Sequence, residues 1–123
     1  YLSIAGSISM AGTAEAPALL GASNGMSGGW AGLWIYTKEA NTLTHAVVEN
    51  GGGATLDFVS EPANIVIGDG ITQEGAVTIT DSIIRGGAGW GIYAQTFAAE
   101  EDIQVENTTY ENNTLGDIAF EGE

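Results

Sequence analysis

The chain is 123 residues long and 44% hydrophobic, with a formal charge of −14 at pH 7 from 16 acidic residues against Lys38 and Arg85. That length suits one domain over 1–123 with a real core, and the apolar content excludes a disordered tail. The charge repels DNA, RNA and anionic lipid, the absence of cysteine excludes disulfides, thiol catalysis and Cys-ligated zinc, and no window approaches the roughly 20 apolar residues of a membrane helix.

The opening residues lack the basic region of a signal peptide and already alternate, so a processed chain or a piece of a longer protein is expected. Period-two alternation then recurs along the chain. It runs through Ile4, Ile8 and Met10, then Leu33 with Ile35, Leu43, Ile65 with Ile67, and Val77 with Ile79. Ile103 with Val105 and Ile118 with Phe120 complete it. Gly, Asn, Asp and Thr separate these short strands, and the 19 glycines point to many tight bends. The best helical candidate is "TFAAEED" (96–102), two turns at most.

A repeat test decides between antiparallel hairpins and a stack. Sliding the tail by 26 residues puts Val77 on Ile103, Ile79 on Val105, Asp81 on Asn107, Ile84 on Tyr110 and Ile92 on Ile118. Gly86 and Gly87 then fall on Asn112 and Asn113. A shift of 36 lays "LTHAVVENGG" (43–52) on "ITDSIIRGGA" (79–88), the extra length falling in a longer loop around 52–63. A further column runs Leu33, Ile65, Ile92, Ile118. Each repeat holds about three short strands and cannot bury its own apolar face, whereas stacked repeats can. The expected fold is all-β: a right-handed parallel β-helix, or solenoid, of about five coils. Asn107, Asn112 and Asn113 fit its turns, because Asn tolerates left-handed backbone.

The ordered runs "GTAEAP" (12–17), "GGWAGLWI" (28–35), "LTHAVVENGG" (43–52) and "VTITDSIIRGGAGWGIYA" (77–94) carry a resemblance over nearly the whole chain. It resembles right-handed parallel β-helix repeat proteins of the pectate-lyase-like superfold, and most closely segments of bacterial exported, surface-associated proteins. Where that group has a P-I-x-F strand, this chain has "PALLGA" (17–22). The resemblance implies a secreted or cell-surface setting. It implies no single activity, since the fold hosts lyases, hydrolases, adhesins, tailspikes and passive stalks.

Lyases of this fold use calcium-binding carboxylates and a basic Arg or Lys on polyanionic sugars. Arg85, before a glycine pair, is the better candidate base here, and Lys38 sits in a polar turn. Glu49 and Glu111 fall on the rungs either side of Arg85, so a cross-strand charge ladder is the simpler reading. Hydrolases of the fold need clustered aspartates, and Asp57, Asp69, Asp81, Asp102 and Asp117 are scattered. His45, Asp81 and Asn107 share a column, read as a strand-to-turn corner or a polar groove. His45 is the only histidine, which leaves a His-cluster metal site or a Ser-His-Asp triad little to draw on.

Calcium is the one cofactor the acids suggest, with none required. Asp69 and Glu74 lie on the Gly-rich run 67–75, and Glu100, Glu101 and Asp102 cluster in 99–107. Solvated acidic loops are the plainer account of both. If Leu33, Ile65 and Ile92 point inward, Trp34, Val66 and Tyr93 point outward. With Trp90 and Arg85, these aromatics form a candidate face for a glycan or a protein partner. A covering loop is the alternative. Thr44, Thr78 and Thr80 raise an ice-binding option, which the replacement of the threonine by Gln104 one repeat on weakens. The sequons at 107–109 and 112–114 read as turn residues. The expected role is structural or adhesive, without catalysis, on an exported bacterial surface protein, with end-to-end self-association through uncapped edges. A carbohydrate-active β-helix enzyme is the alternative.

Overall fold

The computed structural model describes residues 2–4, 7–54, 61–68, 75–95 and 102–121. Thirteen strands lie among them, with no α-helix. They form three parallel sheets. The first contains β1 (Leu2–Ile4), β4 (Leu33–Ile35), β7 (Ala63–Ile67), β10 (Trp90–Ala94) and β13 (Gly116–Phe120). The second contains β2 (Ser9–Ala11), β5 (Thr42–Thr44), β8 (Val77–Thr80) and β11 (Ile103–Glu106). The third contains β3 (Ala18–Leu20), β6 (Ala46–Glu49), β9 (Ile83–Arg85) and β12 (Thr109–Glu111). The chain visits the three sheets in turn, making a parallel β-solenoid of four turns, and β13 opens a fifth. The helical candidate at 96–102 lies outside the described residues except for Asp102.

The observed register is the 26- and 36-residue repeat. Ile103 pairs with Val77 and Val105 with Ile79, while Ile83, Ile84 and Arg85 pair with Val47, Val48 and Glu49. Inward columns stack like on like: Leu2, Leu33, Ile65, Ile92 and Ile118 make one, and Met10, Leu43, Ile79 and Val105 another. The middle coils bury this interior completely at Leu33, Leu43, Ile65, Ile79 and Ile92. Alternation predicts that outcome, because a strand points every second side chain to the same face.

Corners between the second and third sheets are set by left-handed residues. His45, Asp81 and Asn107 have φ of 46°, 52° and 48° on successive rungs, and at the corner that follows the third sheet Asn50, Gly86 and Asn112 repeat the device at 62°, 65° and 54°. Asn, Asp and Gly are the residues that take this conformation at least cost. Two asparagines do a different job. Asn64, the second residue of β7, is fully buried. Its carboxamide oxygen accepts from Gly51 N at 2.7 Å, while its Nδ2 donates to Arg85 O at 3.2 Å and to Asn113 Oδ1 at 2.9 Å. Asn113 in turn donates to Ile84 O and accepts from Gly87 N. A Cβ at Gly87 would lie 2.7 Å from Asn64 Nδ2, so glycine leaves room for the bridge. On the opposite corner Asn41 accepts from Ile8 N and donates to Ala76 O, tying three successive coils together.

Candidate functional site

Arg85 closes β9 and points outward. Its Nη2 lies 2.9 Å from Glu49 Oε1 and its Nε donates to the same oxygen at 3.0 Å. Glu49 is its registered neighbour on β6, and Glu111 is the registered neighbour on β12. The ion pair is therefore a rung-to-rung contact. The Arg85 side chain keeps 44% of its surface exposed, which leaves the guanidinium accessible to a ligand. Lys38, the other cation, pairs with Asp102 at 3.2 Å.

The aromatic face is built on the outer side of the first sheet. Register places Trp34, Val66, Tyr93 and Ala119 in one column. Val66 is 1% and Tyr93 5% exposed, and with Ala63 they form a second apolar cluster against which Ala31, Trp34, Trp90 and Ala119 pack. The middle of the column is thus buried, and the accessible aromatics of this face are the half-buried indoles of Trp34, in the column, and Trp90, beside it in register with Ala63 and Gly116. Trp34 donates through Nε1 to Gly68 O at 2.8 Å and its ring lies 4.8 Å from that of Tyr36. Trp90 donates to Glu61 Oε1 at 3.5 Å and lies over Gly116, where an added Cβ would come within 2.8 Å of the ring. Trp30 donates to Glu49 O at 2.8 Å, bracing the carboxylate's own backbone.

The polar column predicted at His45, Asp81 and Asn107 exists. Asn107 Nδ2 donates to Asp81 Oδ1, and His45 Nε2 lies 3.8 Å from Asp81 Oδ2. On the outer face of the second sheet Thr42 and Thr44 stack on Thr78 and Thr80, with Thr44 Oγ1 3.3 Å from Thr80 Oγ1. The rows end at Ser9 and Ala11 below and at Gln104 and Glu106 above. In the sequon segments Thr108 Oγ1 donates to Glu106 O within its turn, Thr109 begins β12, and Thr114 Oγ1 donates to Gly87 O on the neighbouring coil.

Of the acids weighed as calcium ligands, Asp69, Glu74, Glu100 and Glu101 lie outside the described residues, as does Asp57. Asp102 faces Lys38. Among the described residues no group of three or more His, Asp or Glu is placed to hold a metal ion, there is no pocket, and no helix is long and apolar enough to cross a membrane. One titrating group stands out. Tyr110, at the end of the core, has its phenol held above the ordinary value, first by burial and then by the Asp117 carboxylate. Sequence reasoning overlooked the Asn41 and Asn64 amides, and it placed Asn113 with the left-handed turn asparagines, whereas Asn113 is absent from the left-handed positions and works through its amide. Their signal is visible in hindsight for Asn64, a polar residue inside the apolar run "ANIVI". Compared with protein-family models, curated proteins and solved structures, the chain matches none of them.

Proposed function

We propose that the chain is a non-catalytic structural or adhesive stretch of a right-handed parallel β-helix from an exported bacterial surface protein. It works as an acidic rod that offers a side face to a glycan or a protein. The observation that carries this reading is the state of Arg85, the residue best suited to be a catalytic base. Its guanidinium is committed to Glu49 on the rung below, a stabilising role, yet stays half open to solvent. The binding surface is the exposed edges of Trp90 and Trp34 on the first sheet, which pack against Tyr93, together with Arg85 on the neighbouring third sheet. Stacking of an indole on a sugar ring and a charge-assisted hydrogen bond from Arg85 are the two contacts such a face supplies.

Calorimetric titration with neutral and acidic oligosaccharides, with and without calcium, tests it, followed by assay of each mixture for new reducing ends and unsaturated sugars. The expected result is binding without product, weakened by about fivefold to tenfold in Trp90→Ala and in Arg85→Ala. Release of product from any glycan would overturn the non-catalytic reading and favour a carbohydrate-active enzyme.

A further inference from the structure

Seven asparagines occur in the chain, and two of them, Asn24 and Asn50, precede glycine. The others precede Thr, Ile or Asn, whose side chains crowd the next peptide nitrogen. In an Asn–Gly pair that nitrogen can reach the asparagine's own carboxamide, because glycine carries no Cβ and lets the backbone turn freely. The two pairs sit in opposite surroundings. Asn24 and Gly25 are both exposed, in the turn between β3 and β4. Gly25 has φ of 68° and nothing within 4 Å of where a Cβ would stand. Its N–H donates to Ala22 O at 3.0 Å, a turn contact open to water. Asn24 Oδ1 accepts from Met26 N at 3.0 Å, so the side chain is folded over the Gly25 peptide.

Asn50–Gly51 is held fast. Gly51 is buried, and its N–H donates to Asn64 Oδ1 at 2.7 Å. Its carbonyl accepts from Ala88 N at 2.9 Å, and the next peptide donates through Gly52 N to Ala31 O at 3.1 Å. Asn50 N donates to Arg85 O at 3.0 Å, and Asn50 Nδ2 lies 3.4 Å from Glu49 Oε2. Moving the Gly51 nitrogen onto Asn50 Cγ therefore breaks ties to the coils on both sides. It also leaves a buried N–H and the Asn64 oxygen without each other, which is costly.

We infer that the turn at Asn24–Gly25 is a site of spontaneous covalent modification by water, and that the Asn64 cross-tie shields Asn50 from the same reaction. The Gly25 nitrogen gives its proton to solvent base and attacks Asn24 Cγ. An N–Cγ bond forms, the Cγ–Nδ2 bond breaks, and Nδ2 leaves as ammonia, closing a cyclic succinimide. Water then opens the ring. Attack at one carbonyl gives aspartate and attack at the other gives isoaspartate, with no oxidant or reductant. The sum is ammonia exchanged for water, and a carboxylate in place of a neutral amide. The product bears on the fold because this turn is seated on later coils. A Cβ at Gly53 would strike Gly28 O, and one at Gly28 would stand 3.3 Å from the Ala88 methyl. Isoaspartate lengthens the main chain by a methylene ahead of that seat, and it puts a new charge where Glu15 is the only acid between residues 1 and 30.

Lys38 and Arg85 divide the chain into tryptic peptides 1–38, 39–85 and 86–123, with Asn24 in the first and Asn50 in the second. The chain is incubated at mildly alkaline pH with and without denaturant, and each peptide is followed by mass spectrometry, with fragmentation to place the change. In the folded chain Asn24 is expected to react at least about tenfold faster than Asn50. In denaturant the two rates should converge, because only the fold separates the two pairs. Asn24→Gln is expected to leave peptide 1–38 unchanged. Asn64→Ala, where circular dichroism shows it folded, is expected to speed the reaction at Asn50 about tenfold. Equal rates at Asn24 and Asn50 in the folded chain, or an Asn24 that reacts only in denaturant, would overturn the inference. A folded Asn64→Ala chain in which Asn50 stays as slow as in the wild type would overturn the shielding role. The denaturant comparison needs no variant, so it decides even where Asn64→Ala does not fold.

Discussion

Tyr110 shows how one residue couples the end of the solenoid to pH. It pairs in register with Ile84 and continues the inward column of the third sheet, so its ring packs against the core while its phenol sits near Asp117. Both influences favour the neutral form. The folded phenol therefore titrates above the unfolded one, and its contribution to stability is fully present below about pH 10. That contribution is lost as pH rises through the higher folded value, because the unfolded chain then releases the proton first. Denaturant melts from neutral to strongly alkaline pH should show a stability loss in the wild type that is smaller in Tyr110→Phe. Its column place was legible from the 26-residue shift onto Ile84. Its neighbour Asp117 was not, since adjacency across a rung depends on how the corners turn.

At the scale of elements, the polar cross-ties matter as much as the apolar columns. Asn64 joins β7 to the turns that follow β6, β9 and β12. Removing it leaves the buried Gly51 N–H without its acceptor and takes a donor from Arg85 O and from Asn113 Oδ1. Asn64→Ala should destabilise the fold by about 2 to 3 kcal/mol, since unsatisfied buried polar groups cost roughly 1–3 kcal/mol each. Chemical denaturation reads this directly, with Arg85→Ala as the contrast. That ion pair is substantially exposed, and its loss should cost no more than about 1 kcal/mol. Strand positions were readable because period-two alternation reports burial on one face. The left-handed corners at Asn107 and Asn112 were readable because Asn is chosen there for its backbone. Asn64 and Asn113 were not, because an asparagine used for its amide looks the same in sequence as one used for its φ. The aromatic column was half legible. Its outward direction follows from alternation, but the burial of Val66 and Tyr93 depends on what packs over the sheet, which alternation does not encode.

The whole molecule is a stack whose stability is shared between neighbouring coils. Its middle coils bury their apolar columns completely, while the first and last described coils leave theirs partly exposed. The stacking was legible because a solenoid writes its fold as a repeat, and the shifts of 26 and 36 residues give the pairing residue by residue. The coil count differs slightly: sheet one has the five strands expected, while the other two have four, because the chain ends its described course one strand into the fifth turn. The site was less legible, since no motif in the sequence marks which outward residues stay accessible. Stacking itself is tested most directly by methyl NMR contacts in the isotopically labelled chain. The columns Leu43–Ile79–Val105 and Leu33–Ile65–Ile92–Ile118 should each give contacts between successive members. Contacts instead linking strands adjacent in sequence in antiparallel order, such as residues 77–80 across from 83–85, would contradict the parallel solenoid.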